Sequence, residues 1–225
     1  MFTDIHTHNP RPGIPSIVDI SGSGDFDLER EGWFSVGVHP KFITDDWHAT
    51  VDKLSKAFME HKCKCTAIGE CGLDKFAATP IELQKRVFET QICLAKVYLK
   101  PIIVHCVRLY NDAIQLLRRQ GFQNPVIFHG YNGNETITAQ LLKMPNVYFS
   151  YSNSSFSTPE TSGAKSLPLI PPQRILTETD CNGSADLAAT IQNIAEKKEM
   201  DASSLQDIVY ENFMRIVTYQ YPPSY

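Results

Sequence analysis

Five short apolar runs in this chain end in side chains able to bind a metal ion. They are Asp4-Ile5-His6-Thr7-His8, Thr66-Ala67-Ile68-Gly69-Glu70, Ile102-Ile103-Val104-His105, Val126-Ile127-Phe128-His129 and Ile175-Leu176-Thr177-Glu178-Thr179-Asp180. Residues two apart on a strand point to the same side, so His6 and His8 can converge on one ion, with Asp4 one layer below as an acceptor behind them. Taken singly, each residue has an ordinary reading: a solvated strand end, a hydrogen-bonded core histidine, or, for Asp180, a helix cap. Their coincidence at the ends of successive strands points to a site.

Four imidazoles and two carboxylates suit zinc, manganese or iron, and with water do not exclude magnesium. One catalytic ion rarely needs six protein ligands, whereas two ions sharing the carboxylate of Glu70 can use all of them. Paired divalent ions polarise a phosphoryl or carbonyl oxygen and lower the pKa of a bridging water, which is hydrolytic chemistry. His39, in Gly37-Val38-His39-Pro40, also ends a strand-like run and either touches substrate or packs. Cys71, Cys106 and Cys181 each follow a proposed ligand, so strand alternation turns them away as small apolar fillers. Nucleotide-loop, nucleophilic-serine and thioredoxin-type signatures are absent.

The elements that must position these residues alternate along the chain. Strand-like runs fall near Thr3–His6, Ser16–Ser21, Phe34–His39, Thr66–Glu70, Ile102–Cys106, Val126–His129, Val147–Tyr151 and Ile175–Glu178. Helical periodicity occupies Trp47–Lys62, Pro80–Leu99, Tyr110–Gln120, Thr136–Lys143, Ser184–Glu199 (with Ser184 as N-cap) and Ser203–Tyr219. Eight strands alternating with helices predict a (β/α)8 TIM-barrel-like α/β fold, with active residues at the strands' C-terminal ends. Asn9-Pro10-Arg11-Pro12-Gly13 is too short for a crossover helix, and the charged Gly22–Gly32 gap holds one turn at most. The predicted barrel is therefore trimmed of helix after the first and second strands. Ser150–Pro172 reads as a long polar loop over the mouth.

At 225 residues, with 42% hydrophobic and 20% charged residues, residues 1–225 suit a single domain. A net charge of −4 argues against a protein that coats nucleic acid through many phosphate contacts. No apolar run is long enough to span a bilayer, and the first residues lack the basic and apolar segments of a signal peptide, so no membrane partner is expected. The six cysteines form neither a disulfide framework nor a zinc knuckle, which predicts free thiols and a cytoplasmic protein.

Taken in order, these motifs resemble the TatD family of metal-dependent deoxyribonucleases, within the amidohydrolase-like TIM barrels. The resemblance runs through Asp4–His8, Gly37–Pro40, Ala67–Asp74, Ile103–Cys106, Phe128–Tyr131, Glu178–Asp180 and Asn212-Phe213, with Gln84, Phe88, Gln91 and Leu94-Ala95 between them. It implies that His6, His8 and Asp180 hold one ion, that His105 and His129 hold the other, and that Glu70 bridges. It also implies that Asp180 is the base toward the attacking water, with DNA or another phosphodiester as a transient substrate. Two departures bear on substrate grip: the family's arginine two residues after the fifth-strand histidine is Val107 here, with Arg108 next, and Cys181-Asn182-Gly183 stand where a proline is usual. His39, Arg108 and Tyr131 are the candidate substrate contacts. The same ions could instead cut a carboxylic ester or amide, aminoacyl-tRNA included, and a catalytically inactive barrel acting as a binding module is the remaining reading.

Overall fold

The computed structural model describes residues 1–21, 32–60, 65–158, 161–182 and 186–219. Eight strands appear: β1 (Asp4–Thr7), β2 (Ser16–Asp19), β3 (Trp33–Val36), β4 (Cys65–Asp74), β5 (Ile102–Val107), β6 (Val126–Phe128), β7 (Val147–Tyr151) and β8 (Ile175–Thr177). Seven α-helices are described: α1 (Trp47–Glu60), α2 (Ile81–Val97), α3 (Tyr110–Arg119), α4 (Glu135–Leu142), α5 (Ser162–Ser166), α6 (Leu187–Lys198) and α7 (Ala202–Val217). The strands neighbour one another in chain order, β1 through β8, the order of a (β/α)8 barrel.

No helix lies between β1 and β2, as the short Asn9–Gly13 connection requires. Residues 22–31, where the second trimming is expected, lie outside the described residues, as do Cys63 and Ser184. The first residue of α6 is Leu187, and its cap is Asp186, whose Oδ1 accepts the N–H groups of Ala188 and Ala189. The stretch expected to be one long loop contains α5 as well as 3-10 turns at Asn153–Phe156, Leu167–Leu169 and Pro172–Arg174. Hydroxyl capping produces α5, since Thr161 Oγ1 accepts the Ala164 N–H.

Contacts divide the chain into two compact units, one of Met1–Val18 with Ile127–Val217 and one of Asp19–Val126 with Thr218–Tyr225. In the first, β7 and β8 pair in parallel, Phe149 opposite Ile175 and Tyr151 opposite Thr177. The chain leaving β8 then joins β1: the Asp180 N–H donates to His6 O at 3.0 Å and the His8 N–H to Asp180 O at 3.1 Å. The Asn212 amide on α7 donates to Pro172 O and Ile175 O, fixing where β8 starts.

In the second unit, β3 pairs with β4 and β4 with β5, all parallel. Sequence pattern ends β4 at Glu70, yet the strand continues to Asp74, with Cys71, Gly72 and Leu73 opposite Val104, His105 and Cys106. Gly72 permits this: at φ +143°, a Cβ there would lie 2.0 Å from the His105 carbonyl oxygen. Helix α2 buries Gln84, Val87, Phe88, Gln91, Ile92 and Ala95, a three-and-four-residue stripe against the strands. Each fully buried aliphatic or phenyl side chain on it contributes about 1.5–3 kcal/mol. Its two glutamines make the stripe specific. Gln84 bonds the Asp74 N–H and carbonyl, and Gln91 bonds those of Val38, so one helix clamps the β4 end and the approach to His39. Among the described residues, five cysteines are free thiols and no helix is long and apolar enough to cross a membrane.

Candidate metal centre

In the first unit, His6, His129 and Asp180 offer ligand atoms within 4.8 Å of one another, and His8 joins the same aspartate. Oδ1 of Asp180 lies 3.6 Å from His6 Nε2 and 3.7 Å from His8 Nε2. Ligands bound at about 2.1 Å around a tetrahedral ion stand about 3.4 Å apart, so these separations suit a shared cation. The His6 and His129 rings have centroids 4.4 Å apart. His6 is fully buried, whereas the Asp180 side chain is 43% exposed, so solvent reaches the carboxylate but not the imidazole beneath it.

Asp180 is held from behind. It adopts φ +53°, which Asp tolerates better than most side chains. Its neighbour Thr179 donates its N–H to Asp4 Oδ1 at 3.0 Å, and its hydroxyl lies 2.6 Å from Asp4 Oδ2. Burial pushes the Asp4 carboxyl up from 3.8 to about 6, against the lowering pull of those hydrogen bonds. The expected acceptor behind the histidines therefore supports the Asp180 backbone through Thr179. Glu178 is buried, accepts the Gly130 N–H at 2.7 Å through Oε1 and places that oxygen 3.8 Å from His129 Nδ1. Beside Asp180 opens a cavity of about 200 Å³ lined by Asn132, Ser152, Thr161 and Glu178 among others.

In the second unit, His39, Glu70 and His105 form another group with ligand atoms within 4.8 Å. His105 Nδ1 stands 2.8 Å from Glu70 Oε1, while its Nε2 lies 3.2 Å from Asp74 Oδ2. With the ring proton on Nε2, donated to Asp74, Nδ1 aims a lone pair at a carboxylate oxygen, and that contact needs a cation or a proton between the two atoms. His39 differs. Its Nδ1 accepts the Lys41 N–H at 3.0 Å, so the proton sits on Nε2, 3.3 Å from Glu70 Oε1. That tautomer makes His39 a hydrogen-bond donor to the carboxylate, while His105 and Glu70 offer lone pairs that could hold a metal ion.

Glu70 is positioned through its backbone. Asp19 accepts the Glu70 N–H at 2.6 Å through Oδ2 and the Ser21 N–H at 2.7 Å through Oδ1. Gly37 leaves room for the strand, because a Cβ there would come within 2.6 Å of the Glu70 carbonyl oxygen. The Asp74 carboxyl sits below its usual 3.8: burial alone would raise it, but the Phe76 N–H, His105 and Lys41 outweigh that. Sequence reading missed Asp19 and Asp74 as supports; both end strands, and the Asp74 signal was its place four residues beyond Glu70 in the same motif.

The candidate substrate contacts are placed as follows. Arg108 is exposed immediately after β5 at φ +62°. Tyr131 is 1% exposed, with its hydroxyl 2.7 Å from Thr138 Oγ1 and its ring edge-on to Phe149. His39 lies with Glu70 and His105, and His129 lies with His6 and Asp180.

Against known proteins, residues 26–218 match a family described as TatD related DNase. An uncharacterized metal-dependent hydrolase of Bacillus subtilis, YabD, is 30% identical over 220 residues, 92% of this chain and 83% of that protein. A 3′-5′ ssDNA/RNA exonuclease TatD of Pectobacterium parmentieri is also 30% identical, over 82% of this chain and 77% of its own length. The crystal structure of YjjV, a TatD homologue from Escherichia coli, superposes with a TM-score of 0.84 at 20% identity, covering 97% of this chain and 98% of that one.

Proposed function

This chain belongs to the TatD-related DNase family and is a metal-dependent hydrolase with a (β/α)8 TIM-barrel fold, and from that premise we propose that it hydrolyses nucleic-acid phosphodiesters using two divalent ions. One observation carries the reading: each compact unit holds its own group of imidazoles and carboxylates at ligand spacing. We assign His6, His8, His129 and Asp180 to metal ligation in the first unit and Glu70 and His105 in the second. Zinc, manganese and magnesium are the candidate ions. Bound there, such ions polarise a phosphoryl oxygen and lower the pKa of water.

The chain's own residues supply the rest. Asp180, partly exposed and braced through Thr179, takes the proton from the attacking water. His39 donates through Nε2. Arg108 is a cation within the second unit available to a phosphate. The exonuclease name carried by the Pectobacterium relative supports DNA or RNA as the substrate class. We further propose that residues 1–225 act as one hydrolase domain and that the protein is cytoplasmic.

The test is elemental analysis of protein purified without chelator, followed by assays on single-stranded DNA, a chromogenic phosphodiester and a carboxylic ester. About two equivalents of metal with metal-dependent diester cleavage is the expected result. Ester or amide hydrolysis without diester cleavage would replace the nuclease reading with an amidohydrolase one, and protein that stays empty after manganese, magnesium and zinc are supplied would refute both.

A further inference from the structure

Two Lys-Phe pairs stand on consecutive loops of the second unit. Lys41-Phe42 closes the 3-10 turn Pro40–Phe42 after β3, and Lys75-Phe76 directly follows β4. Phe42 is 63% exposed and Phe76 72%, in a structure that buries most of its phenyl rings. Exposed phenyl rings forgo burial free energy, so two of them beside a candidate catalytic cluster call for a partner. Both loops are tied to the same buried carboxylate. Lys41 Nζ lies 3.5 Å from Asp74 Oδ2, and the Phe76 N–H donates to Asp74 Oδ1 at 2.8 Å. The Phe42 ring is 5.4 Å from the His39 ring, which is 4.4 Å from that of His105. The Lys75 N–H donates to Val107 O at 3.1 Å, which brings the exposed Arg108 alongside. In a chain of net charge −4, Lys41, Lys75 and Arg108 place three cations on these loops, the first of them also paired with Asp74.

We propose that these three loops hold a single strand of nucleic acid, with unpaired bases stacked on Phe42 and Phe76 and phosphates met by Lys41, Lys75 and Arg108. Aromatic rings interleaved with cations are the chemistry of sequence-tolerant single-strand binding. Paired strands are excluded by the same chemistry, because bases stacked within a duplex have no free face for two protein rings. The occupant rests on the nucleolytic reading above; the rings and cations do not depend on it.

The experiment titrates the full chain with manganese against a fluorescent, phosphorothioate-linked oligothymidylate, its duplex form and an abasic strand of equal length. The intact single strand should bind best. Each of Phe42→Ala and Phe76→Ala should weaken it about 10-fold, Phe→Trp at either position should restore binding, and the abasic strand should respond to neither alanine. An unchanged affinity in the double alanine variant, equal affinity for abasic and intact strands, or no binding at all would overturn the proposal. Cleavage of an unmodified strand is read separately: ring-dependent binding without cleavage removes the nuclease reading and leaves the platform standing, while cleavage with no ring dependence does the reverse.

Discussion

Asp74 Oδ2 lies 3.2 Å from His105 Nε2, on the opposite edge of the imidazole from Glu70. The carboxylate therefore selects the tautomer that turns the Nδ1 lone pair toward Glu70, the form a metal ligand requires. Outer carboxylates of this kind are worth about 10–100-fold in metal affinity. We expect Asp74→Asn to bind manganese or zinc weaker by that range, as measured by calorimetry. Affinity equal to wild type would show that His105 needs no such partner.

Asp180 is the residue proposed for both ligation and proton transfer, and its backbone is bonded to His6 and His8. Asp180→Asn keeps a residue that tolerates φ +53° and keeps the backbone bonds, so thermal unfolding should change little. Removing a general base costs about 10²–10⁴ in rate. A variant within a few-fold of wild-type kcat on single-stranded DNA would remove Asp180 from the chemistry.

Metal content divides the ligands. Wild-type protein should bind about two equivalents, and replacing Glu70 and His105 together with alanine should leave about half. Full occupancy in that variant, read by elemental analysis, would show that the second ion is held elsewhere. That variant should still melt cooperatively, which separates lost ligation from lost structure.

Asp4→Ala removes the acceptor for two buried donors, the Thr179 N–H and hydroxyl. Leaving a buried donor unpaired costs about 1–3 kcal/mol, and the Asp180 support is loosened at the same time. A lowered melting temperature with a fall in kcat is expected. If only one of the two falls, support of the fold and support of the site are separate.

Gly72→Ala tests the close approach of β4 to β5. The added Cβ would meet the His105 carbonyl oxygen at 2.0 Å from a backbone at φ +143°, where non-glycine residues are strained by about 1–3 kcal/mol before any clash. We expect poorly folded protein or a clearly lower melting temperature. Wild-type stability would mean that the strands separate there without cost.

The fold was legible where apolar runs were short and separated by helical periodicity, and the eight strands fall within a few residues of the predicted ones. The exception, β4, looked finished at Glu70 because two glycines interrupt the pattern, whereas those glycines allow pairing to continue to Asp74. Helix α5 was invisible in a Ser- and Pro-rich stretch because its start depends on one Thr161 hydroxyl. The candidate ligands were legible as strand-end histidines and carboxylates. Their supports were not. Asp19 is recognisable only by the Glu70 N–H it accepts, and the role of His39 turns on an N–H from Lys41. A sequence names donors and acceptors but leaves open which of them meet.

The pairing of Asp180 with β1 also sets a timetable. Thr7 and Asp180 are 173 residues apart, so the neighbours His6 and His8 are synthesised well before Asp180. At roughly 5–20 residues per second, these imidazoles wait on the order of ten seconds or more for the carboxylate that completes their set. The centre thus stays unfinished until β8 has been made, and a polypeptide cut short before β8 carries histidines with no Asp180 to join them.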